Sequence, residues 1–461
     1  MAGAPKPLTP VPTPAQLAWQ RGELSLFLHF GVNTFSDREW GEGKEDPKIF
    51  NPTKLDVRQW AAAAKAGGFK LAILTAKHHD GFCLWPSKYT EHSVRSSPWK
   101  DGRGDLVREF VEAFREQGIK VGLYLSPWDR HEASYGDSPR YNEYYKKQLT
   151  ELLTNYGPIA EVWFDGACGE GPNGKKQEYD FAGFFGIVRK LQPRAVMFSD
   201  AGPDVRWIGN EQGIAGDPCW ATVDPAVWVQ PGKAADGFRE PIRSLQHGDR
   251  GGTIWRAGES DVSIRPGWFW HQSENEKVRS LENLVDLYFK SVGRNSLLLL
   301  NVPPNKEGLL SEPDVKRLAE FRAKLDEIFK TDLAAGKKAI ASNTREKNEA
   351  FAAGGALDSN PDTYWATDDD QTTGWIEVDL GMPTTFNIAC LQEAIALGQR
   401  VESYVVEYWD GSSWQVLSKG TTIGHKKLDR FEPVTAQRVR LVVDKSLACP
   451  TISAFGLYNA R

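Results

Sequence analysis

The strongest constraint on the fold is a repeated alternation of short apolar segments with longer amphipathic segments. The apolar segments include SLFLHFG, LAILTAK, KVGLYLS, EVWFDG and SLLLLNV. Such near-continuous apolar runs are typical of strands that are buried on both faces of a parallel sheet. The segments between them have the periodicity of amphipathic helices. The chain therefore predicts successive β/α units around a parallel sheet.

The predicted elements extend from Gln16 to Thr331. Strands are predicted at Ser25–Gly31, Leu71–Lys77, Lys120–Ser126, Glu161–Asp165, Ala195–Asp200, Arg206–Glu211 and Ser296–Val302. Helices are predicted at Gln16–Glu23, Leu55–Ala66, Asp105–Gln117, Arg140–Tyr156, Tyr179–Leu191, Asn275–Ser291 and Glu312–Thr331. The segment Gly213–Gly267 is rich in Gly, Pro and Trp and is predicted to form long irregular loops.

Two architectures fit these units. We expect residues 1–335 to form a (β/α)8-like TIM barrel, because the segment is long enough for an eight-stranded barrel with insertions. An open doubly wound sheet is the alternative. Both folds place their sites at the carboxyl ends of the parallel strands, and the sequence places His29, Tyr124 and Asp165 at or near such ends.

The pattern changes near Gly336. Beyond this residue, short alternating segments such as WIEVDL and YVVEYW are joined by turn signals such as Asp410-Gly411, without long helical segments. The pattern predicts an all-β jelly-roll sandwich over residues 336–461.

Composition narrows the classes of function. A net charge of −5 without a Lys/Arg-rich block argues against partners such as nucleic acid or anionic membranes. No apolar stretch is long enough to insert across a bilayer. The 17 tryptophans are unusual, and indole rings stack on the apolar faces of sugars, although a Trp-rich core would use them equally.

The cysteines and the N-terminus bear on the cellular compartment. Cys83, Cys168, Cys219, Cys390 and Cys449 are scattered and contain no CxxC pair, which excludes a zinc ribbon and a dense disulfide scaffold. A single Cys390–Cys449 bridge is left open. The N-terminal segment MAGAPKPLTPVPTPAQ has no apolar signal-peptide core, and its Pro-rich start resembles the mature end of an exported protein with an initiator Met added. We expect a periplasmic or secreted location.

Two carboxylates that follow apolar segments are candidates for acid–base chemistry. Asp165 ends the segment EVWFD beside Trp163, and burial of a carboxylate there is costly unless the group has a function. Glu211 follows WIGN in the same way. Glycoside hydrolysis needs two such groups, but Asp165 could simply cap a loop and Glu211 could be an ordinary loop glutamate. The alternative acids are Glu39, Glu42 and Glu170.

The sequence His78-His79-Asp80 follows the second predicted strand. Adjacent strand residues point to opposite faces, so the two histidines are poorly placed to bind one metal ion. We favour hydrogen bonds to sugar hydroxyls, although His29 taken alone could be a core histidine. No GxSxG, Walker or dinucleotide-binding glycine motif is present, which argues against serine-hydrolase and nucleotide chemistry.

Several motifs together resemble the α-L-fucosidases of glycoside hydrolase family 29. They are FLHFGVNTF (Phe27–Phe35), EW (Glu39-Trp40), KHHDGF (Lys77–Phe82), GLYLSPW (Gly122–Trp128), EVWFDG (Glu161–Gly166) and LLLNVPP (Leu298–Pro304). The resemblance runs from about Ser25 to Ala334. It implies a barrel-like catalytic domain and a retaining double displacement that requires no metal or other cofactor.

The resemblance also implies roles for individual residues. Asp165 matches the family nucleophile. The motif GNEQG at Gly209–Gly213 resembles the branch of the family that cleaves α-1,3 and α-1,4 fucosides next to a branching galactose. In that branch the glutamate of this motif is the acid/base, which implies Glu211. The residues that match the family's contacts to fucose are His29, Glu39, Trp40, His78, His79, Tyr124, Trp163 and Trp270.

The C-terminal segment Lys338–Arg461 resembles a discoidin-type domain, as in carbohydrate-binding module family 32. The resemblance lies in ALDSNPDTYWAT, WIEVDLG, YVVEYWDGSSW and FGLY. Such modules often hold a structural calcium ion, which makes Asp358 and Asn360 candidate ligands. Ala454-Phe455 stands where an acidic residue is usual, which argues against calcium.

The expected function is that of a retaining exo-α-L-fucosidase that hydrolyses terminal α-1,3- or α-1,4-linked fucose from branched, Lewis-type glycans. Its partners would be fucosylated oligosaccharides or glycoconjugates. Asp165 would attack the anomeric carbon while Glu211 protonates the leaving oxygen. The alternatives are a broad-specificity α-L-fucosidase that uses Glu39 as its acid/base and a non-catalytic fucose-binding protein.

Overall fold

The computed structural model describes residues 3–200, 202–226 and 243–460. The strands of its first domain are β1 (Leu24–Leu28), β2 (Leu71–Lys77), β3 (Lys120–Leu125), β4 (Glu161–Trp163), β5 (Val196–Ser199), β6 (Val205–Trp207), β7 (Thr222–Val223), β8 (Ile254–Trp255), β9 (Ala257–Ser263) and β10 (Ser296–Asn301). The strands β7 and β8 form a separate two-stranded ladder. The other eight close into a parallel barrel in the order β1-β10-β9-β6-β5-β4-β3-β2. The predicted barrel is confirmed, and the pairing of β1 with β10 excludes the open sheet.

Helices surround the barrel. They are α1 (Pro14–Gln20), α2 (Val32–Ser36), α3 (Val57–Ala66), α4 (Leu106–Glu116), α5 (Ser138–Asn155), α6 (Phe181–Leu191), α7 (Arg243–His247), α8 (Leu281–Lys290) and α9 (Glu312–Ile328). None of those in the described ranges is both long and apolar enough to cross a membrane.

The helix α4 shows how the sequence specifies these elements. The Asp105 side chain accepts a hydrogen bond from the Arg108 backbone N–H at 2.9 Å and caps the N-terminus. Leu106, Phe110 and Phe114 recur every four residues and are fully buried against the barrel. Gly118, with φ +71°, turns the chain into β3 without steric strain.

One barrel strand lies where the sequence predicted loops. The strand β9 has the sequence AGESDVS and falls inside the predicted irregular segment Gly213–Gly267. It was missed because Glu259 and Asp261 break the apolar pattern, although both are buried. In the structure they accept hydrogen bonds from the indoles of Trp163 and Trp207, which compensates their burial. Within the same predicted loops, residues 227–242 lie outside the described ranges.

Other boundaries differ by a few residues. The strands β4 and β6 end at Trp163 and Trp207, so Asp165 and Glu211 lie just beyond the strands. The helix predicted at Asn275–Ser291 begins only at Leu281, where the Ser280 side chain caps it, and a 3-10 turn precedes it.

The second domain is an antiparallel β sandwich, as predicted. Its strands are β11 (Lys338–Ala341), β12 (Trp365–Ala366), β13 (Gly374–Glu393), β14 (Val401–Trp409), β15 (Trp414–Gly420), β16 (Lys427–Ser446) and β17 (Thr451–Tyr458). The long strands β13 and β16 pair along most of their length, with register shifts that bend them. A separate apolar core, which includes Trp365, Phe386 and Phe455, holds the domain together.

The chain passes between the domains near the predicted boundary, since α9 ends at Ile328 and β11 begins at Lys338. The N-terminal residues nevertheless contact the sandwich: the Leu8 N–H donates to the Leu397 carbonyl at 2.8 Å. The cysteines are all free, so the Cys390–Cys449 bridge that the sequence left open does not form. The Cys449 thiol instead accepts a hydrogen bond from the Arg400 guanidinium at 3.1 Å.

A largely buried ion pair connects the two domains. Lys426, just before β16, lies 2.5 Å from Glu23, just before β1, and their side chains are only 17% and 19% exposed. The Glu23 carboxylate also accepts hydrogen bonds from Tyr288 and His425. Burial alone would raise the pKa of Glu23, but Lys426 and the hydrogen bond from His425 outweigh it and the pKa is lowered.

We expect Lys426→Met to lower the free energy of unfolding by about 3 kcal/mol at pH 7, because Glu23 is left buried without its cation. A carboxyl with a lowered folded pKa stabilises above its unfolded value of 4.5 and loses that contribution as the pH falls. In urea titrations, the difference in free energy of unfolding between the wild type and Lys426→Met should therefore become smaller below about pH 4.5. Lys316→Met is the control, because this lysine is 74% exposed and lies 3.9 Å from Glu320. Equal losses in both variants would contradict the role of the pair.

Candidate active site

A cavity of about 470 Å³ opens at the carboxyl ends of the barrel strands. It is lined by Phe27, His29, Glu39, Trp40, His78, His79, Trp128, Trp163, Asp165, Ala167, Cys168, Gly169, Lys176, Trp207, Glu211, Asp261 and Trp268. The lining residues lie between Phe27 and Trp268 in the sequence, so the fold brings together side chains that are far apart along the chain. Carboxyl groups, imidazoles and indoles dominate its polar surface.

Asp165 lines this cavity and lies two residues beyond the end of β4. Its Oδ2 accepts a hydrogen bond from the Tyr124 hydroxyl at 3.0 Å, and its Oδ1 accepts one from the Ala167 N–H at 2.7 Å. The His79 Nε2 lies 3.8 Å from Oδ2. These contacts fix the carboxylate while part of its surface faces the cavity.

His29 is held by Asn301 at the end of β10. The Asn301 Nδ2 donates to the Trp268 carbonyl at 2.8 Å, so Oδ1 must face His29, whose Nδ1 lies 2.8 Å away. The proton therefore sits on Nδ1, which leaves Nε2 as an acceptor. Burial lowers the pKa of His29 to about 3, against the hydrogen bond with Asn301, so the ring is neutral at physiological pH.

His78 and His79 both reach the cavity. Because β2 ends at Lys77, they lie in the following loop and are not bound by strand alternation; their ring centroids are 4.1 Å apart. His79 hydrogen-bonds the Ser126 hydroxyl at 2.7 Å. Burial lowers the pKa of both histidines. The expectation that His78 and His79 point to opposite faces was wrong, because both follow the strand. Their neutral imidazoles face the cavity together with that of His29.

Glu211 lines the same cavity, and its side chain is exposed to solvent. Its Oε2 accepts a hydrogen bond from the Trp268 indole at 3.4 Å. The surrounding protein raises the pKa of Glu211 by desolvation, with further contributions from the charges of Asp165 and Glu39. The carboxyl thus holds a proton to higher pH than an ordinary glutamate, as a general acid requires.

Glu39 has a different environment. Its Oε2 accepts the Trp268 N–H at 2.7 Å, and its Oε1 accepts the Phe269 N–H at 3.1 Å and contacts the His271 Nε2 at 2.6 Å. Both oxygens therefore anchor the loop after β9. The other two alternative acids do not line the cavity: Glu42 forms an ion pair with Arg38, and Glu170 is exposed.

The aromatic residues of the sequence prediction divide into three groups. Trp163 lines the cavity with its ring, stacked on Tyr124 at 5.2 Å, while its N–H is bonded to Glu259. Trp40 is 58% exposed at the rim. Trp270 is absent from the described cavity wall and Trp268 is present there. The hydrogen bonds that Glu39 accepts from the backbone of Trp268 and Phe269 set the path of this loop, which sequence spacing does not encode.

Asp261 was missed by the sequence analysis. It lines the cavity floor and accepts the Trp207 N–H at 2.7 Å. Desolvation raises its pKa well above the ordinary value, and the nearby Glu211 contributes to the shift. The signal available was the pair Glu259 and Asp261, which alternates as inward-facing strand residues do.

The described residues offer no evident metal site. Among residues 3–200, 202–226 and 243–460, no group of three or more His, Cys, Asp or Glu side chains is arranged to hold a metal ion. In the second domain the Asp358 carboxylate accepts hydrogen bonds from the Thr363 hydroxyl and the Asn360 N–H. These contacts close a polar turn, and calcium binding by Asp358 and Asn360 stays a prediction.

The comparisons with known families agree with this architecture. The family profile described as alpha-L-fucosidase matches residues 29–326. The profile described as F5/8 type C domain matches residues 338–454. The two matches correspond to the barrel and to the sandwich.

Individual relatives cover nearly the whole chain. Alpha-L-fucosidase 1 of Arabidopsis thaliana is 49% identical over 458 residues, which are 98% of this chain and 88% of the relative. The crystal structure of SpGH29 superposes with a TM-score of 0.92 at 42% identity, covering 99% of this chain and all of the other. A Ruminococcus gnavus GH29 fucosidase, solved in complex with fucose, has a TM-score of 0.91 at 38% identity and covers 100% of this chain and 97% of its own.

The Asn301–His29 contact gives a test of the cavity. We expect Asn301→Asp to raise KM for an aryl α-L-fucoside about tenfold, because a second carboxylate oxygen would repel the Trp268 carbonyl and unsettle His29. The new charge should also raise the pKa of His29, so activity on the acidic side should be lost at higher pH than in the wild type. Asn305→Asp is the matched control, because the Asn305 side-chain oxygen accepts hydrogen bonds from the Glu307 and Leu309 N–H groups, and an aspartate keeps both. An unchanged KM and pH profile in Asn301→Asp would contradict this role.

Proposed function

The chain belongs to the alpha-L-fucosidase family and is an α-L-fucosidase, and from this premise we propose a retaining mechanism with α-1,3/1,4 linkage specificity. The proposal assigns Asp165 as nucleophile and Glu211 as acid/base. One observation carries it: these two carboxyls line a single cavity, one held by two hydrogen bonds and one exposed to solvent.

In the first step an Asp165 oxygen attacks the anomeric carbon of fucose. The bond to the leaving oxygen breaks, and Glu211 gives that oxygen its proton. In the second step Glu211 removes a proton from water, the water oxygen attacks the same carbon, and Asp165 leaves. The rigid hydrogen bonds from Tyr124 and Ala167 support the role of Asp165, since they hold it without covering its cavity side.

The environments of the carboxyls favour Glu211 over its rivals. Its raised pKa keeps a proton available, and its exposed position suits contact with a leaving group that extends into solvent. Glu39 is occupied by the loop after β9. The raised pKa of Asp261 also favours a proton, but this carboxyl is buried and accepts the Trp207 N–H, whereas Glu211 is exposed to solvent.

The walls suit a neutral 6-deoxy sugar. The neutral imidazole of His29 can accept a hydrogen bond from a hydroxyl through Nε2, and the neutral imidazoles of His78 and His79 can also form hydrogen bonds with hydroxyls. The indoles of Trp163 and Trp268 offer apolar faces for the ring and the methyl group. The fucose complex of the Ruminococcus gnavus relative supports placing fucose here.

The linkage specificity rests on the motif GNEQG around Glu211, which resembles the α-1,3/1,4-specific branch. We further propose that turnover needs no metal, that the substrates are fucosylated glycans, and that the protein works outside the cytoplasm. The open rim near the exposed Trp40 supports branched substrates, because additional sugars need room beside the leaving oxygen.

Substitution of the two carboxyls separates their roles. Asp165→Ala should lower kcat at least about 1000-fold with an unchanged melting temperature. Glu211→Ala should slow natural glycans about 100- to 1000-fold but substrates with good leaving groups less than about tenfold, because only the former need a proton. Added azide should give a fucosyl azide of inverted configuration with Asp165→Ala and of retained configuration with Glu211→Ala. If Glu39→Ala or Asp261→Asn, and not Glu211→Ala, slows natural glycans much more than substrates with good leaving groups, the assignment of Glu211 as the acid is refuted.

A linkage panel tests the specificity. We expect rapid fucose release from branched α-1,3- and α-1,4-fucosyl trisaccharides, and slow release from an α-1,2-fucosyl disaccharide and an aryl fucoside. Proton NMR of the early product should show α-L-fucose first, since two inversions restore the configuration. Comparable rates on all linkages would establish the broad-specificity alternative, and initial β-L-fucose would refute retention.

A further inference from the structure

Three indole–carboxyl pairs lie along the barrel interior. Each tryptophan donates its N–H to one carboxyl group at 2.7–2.8 Å. The pairs, from the helix α1 toward the cavity, are Trp19 with Glu161, Trp163 with Glu259, and Trp207 with Asp261. The last pair reaches the active-site cavity, but the first two carboxyls do not line it. The proposed mechanism leaves Glu161 and Glu259 without a role.

Glu161 on β4 and Glu259 on β9 face each other across the barrel. Both residues are fully buried, and their carboxyls lie close enough for each to act on the pKa of the other. Within the described part of the chain, Glu161 Oε1 and Glu259 Oε2 receive no hydrogen bond from any N–H or other donor group. A bond between two carboxyl groups requires a proton on one of them.

The surroundings also oppose a doubly charged pair. The charged groups that act on these two residues from the described neighbours are Asp204, before β6, and Asp261, further along β9. Both are carboxyls, so these described neighbours supply no cation to compensate a second negative charge. Burial raises the pKa of Glu161 to about 7 and that of Glu259 well above the ordinary value.

We propose that Glu161 and Glu259 share a proton across the barrel and together act as positioning residues for Trp163 in the cavity wall. The Trp163 ring stacks on Phe198 at 4.1 Å and on Tyr124 at 5.2 Å. Tyr124 in turn donates its hydroxyl to Asp165. The bond from Trp163 to Glu259 therefore fixes the indole that supports the Tyr124–Asp165 contact. The functional half of this inference rests on the proposed placement of fucose against Trp163.

Stability as a function of pH tests the shared proton independently of any sugar. Both carboxyls have an ordinary value of 4.5 when unfolded and higher values when folded. Protonation therefore favours the folded state, and this contribution is complete below about pH 4.5 and is lost as the pH rises through the folded values. In Glu161→Gln the amide N–H replaces the shared proton permanently while its oxygen still accepts from Trp19.

We expect the melting temperature of the full-length wild type to fall by about 5 °C more than that of Glu161→Gln between pH 5 and pH 8. Glu151→Gln is the matched control, because Glu151 also accepts an indole N–H, from Trp85 at 3.0 Å, outside the barrel interior. Its curve should run parallel to the wild type. Parallel curves for Glu161→Gln and the wild type would overturn the shared proton.

Inhibition by free fucose tests the positioning role. Glu259→Asp shortens the side chain by one methylene and withdraws the acceptor from Trp163, so the inhibition constant for fucose should rise about tenfold while kcat changes less. Glu259→Gln keeps an oxygen for Trp163 and a donor for Glu161, and should stay within about twofold of the wild type. Glu151→Asp is the control for the loss of one methylene group from a carboxyl side chain that accepts an indole N–H.

Each result is decisive for one half of the inference. An unchanged inhibition constant in Glu259→Asp would overturn the positioning role, and so would a tenfold rise in Glu259→Gln. If Glu259→Asp fails to fold, Glu259→Gln still tests positioning and Glu161→Gln still tests the proton. Failure of the proposed function would appear differently, as a wild type that fucose does not inhibit, and would leave the pH result standing.

Discussion

Closure of the parallel sheet between β1 and β10 is the constraint on which the rest of the structure depends. The ladder pairs Leu24 with Leu298 and Phe27 with Asn301. Because register is propagated strand by strand, it fixes which residues stand at the carboxyl rim. His29 meets Asn301 only because the first and last strands of the barrel are neighbours. A site built from residues 272 positions apart in the chain is thus as rigid as the sheet that carries it.

The sequence predicted most of this architecture, and its failures have physical reasons. Continuous apolar runs such as β2 and β10 were located to within a residue or two, because burial on both faces leaves a clear signal. The strand β9 was missed because its interior positions are Glu259 and Asp261, whose burial depends on indoles from other strands. Closure itself is a non-local pairing that local patterns do not contain.

The candidate site was predictable to the same degree. Asp165 and the histidines could be singled out because they follow apolar strands directly. The presence of Trp268 in the wall, where the sequence suggested Trp270, depends on how Glu39 binds the backbone of the loop after β9. The raised pKa of Asp261 likewise arises from its burial beside Glu211. Such features follow from three-dimensional packing and from the path of loops, which a single sequence leaves open.

The distribution of carboxyl groups suggests how the barrel divides stability from specificity. Asp165 and Asp261 are held by hydrogen bonds from residues on or directly after the barrel strands. Substitutions at these two positions should therefore be poorly tolerated. Glu211 and Trp40 stand on loops at the rim, where side chains can change without altering the barrel. Changes in linkage preference should therefore arise at the rim, while the pocket for the sugar itself stays constant. The buried carboxyls of Glu161 and Glu259 fit this division. Polar groups that are costly to bury are retained where they hold a residue of the cavity wall in one position.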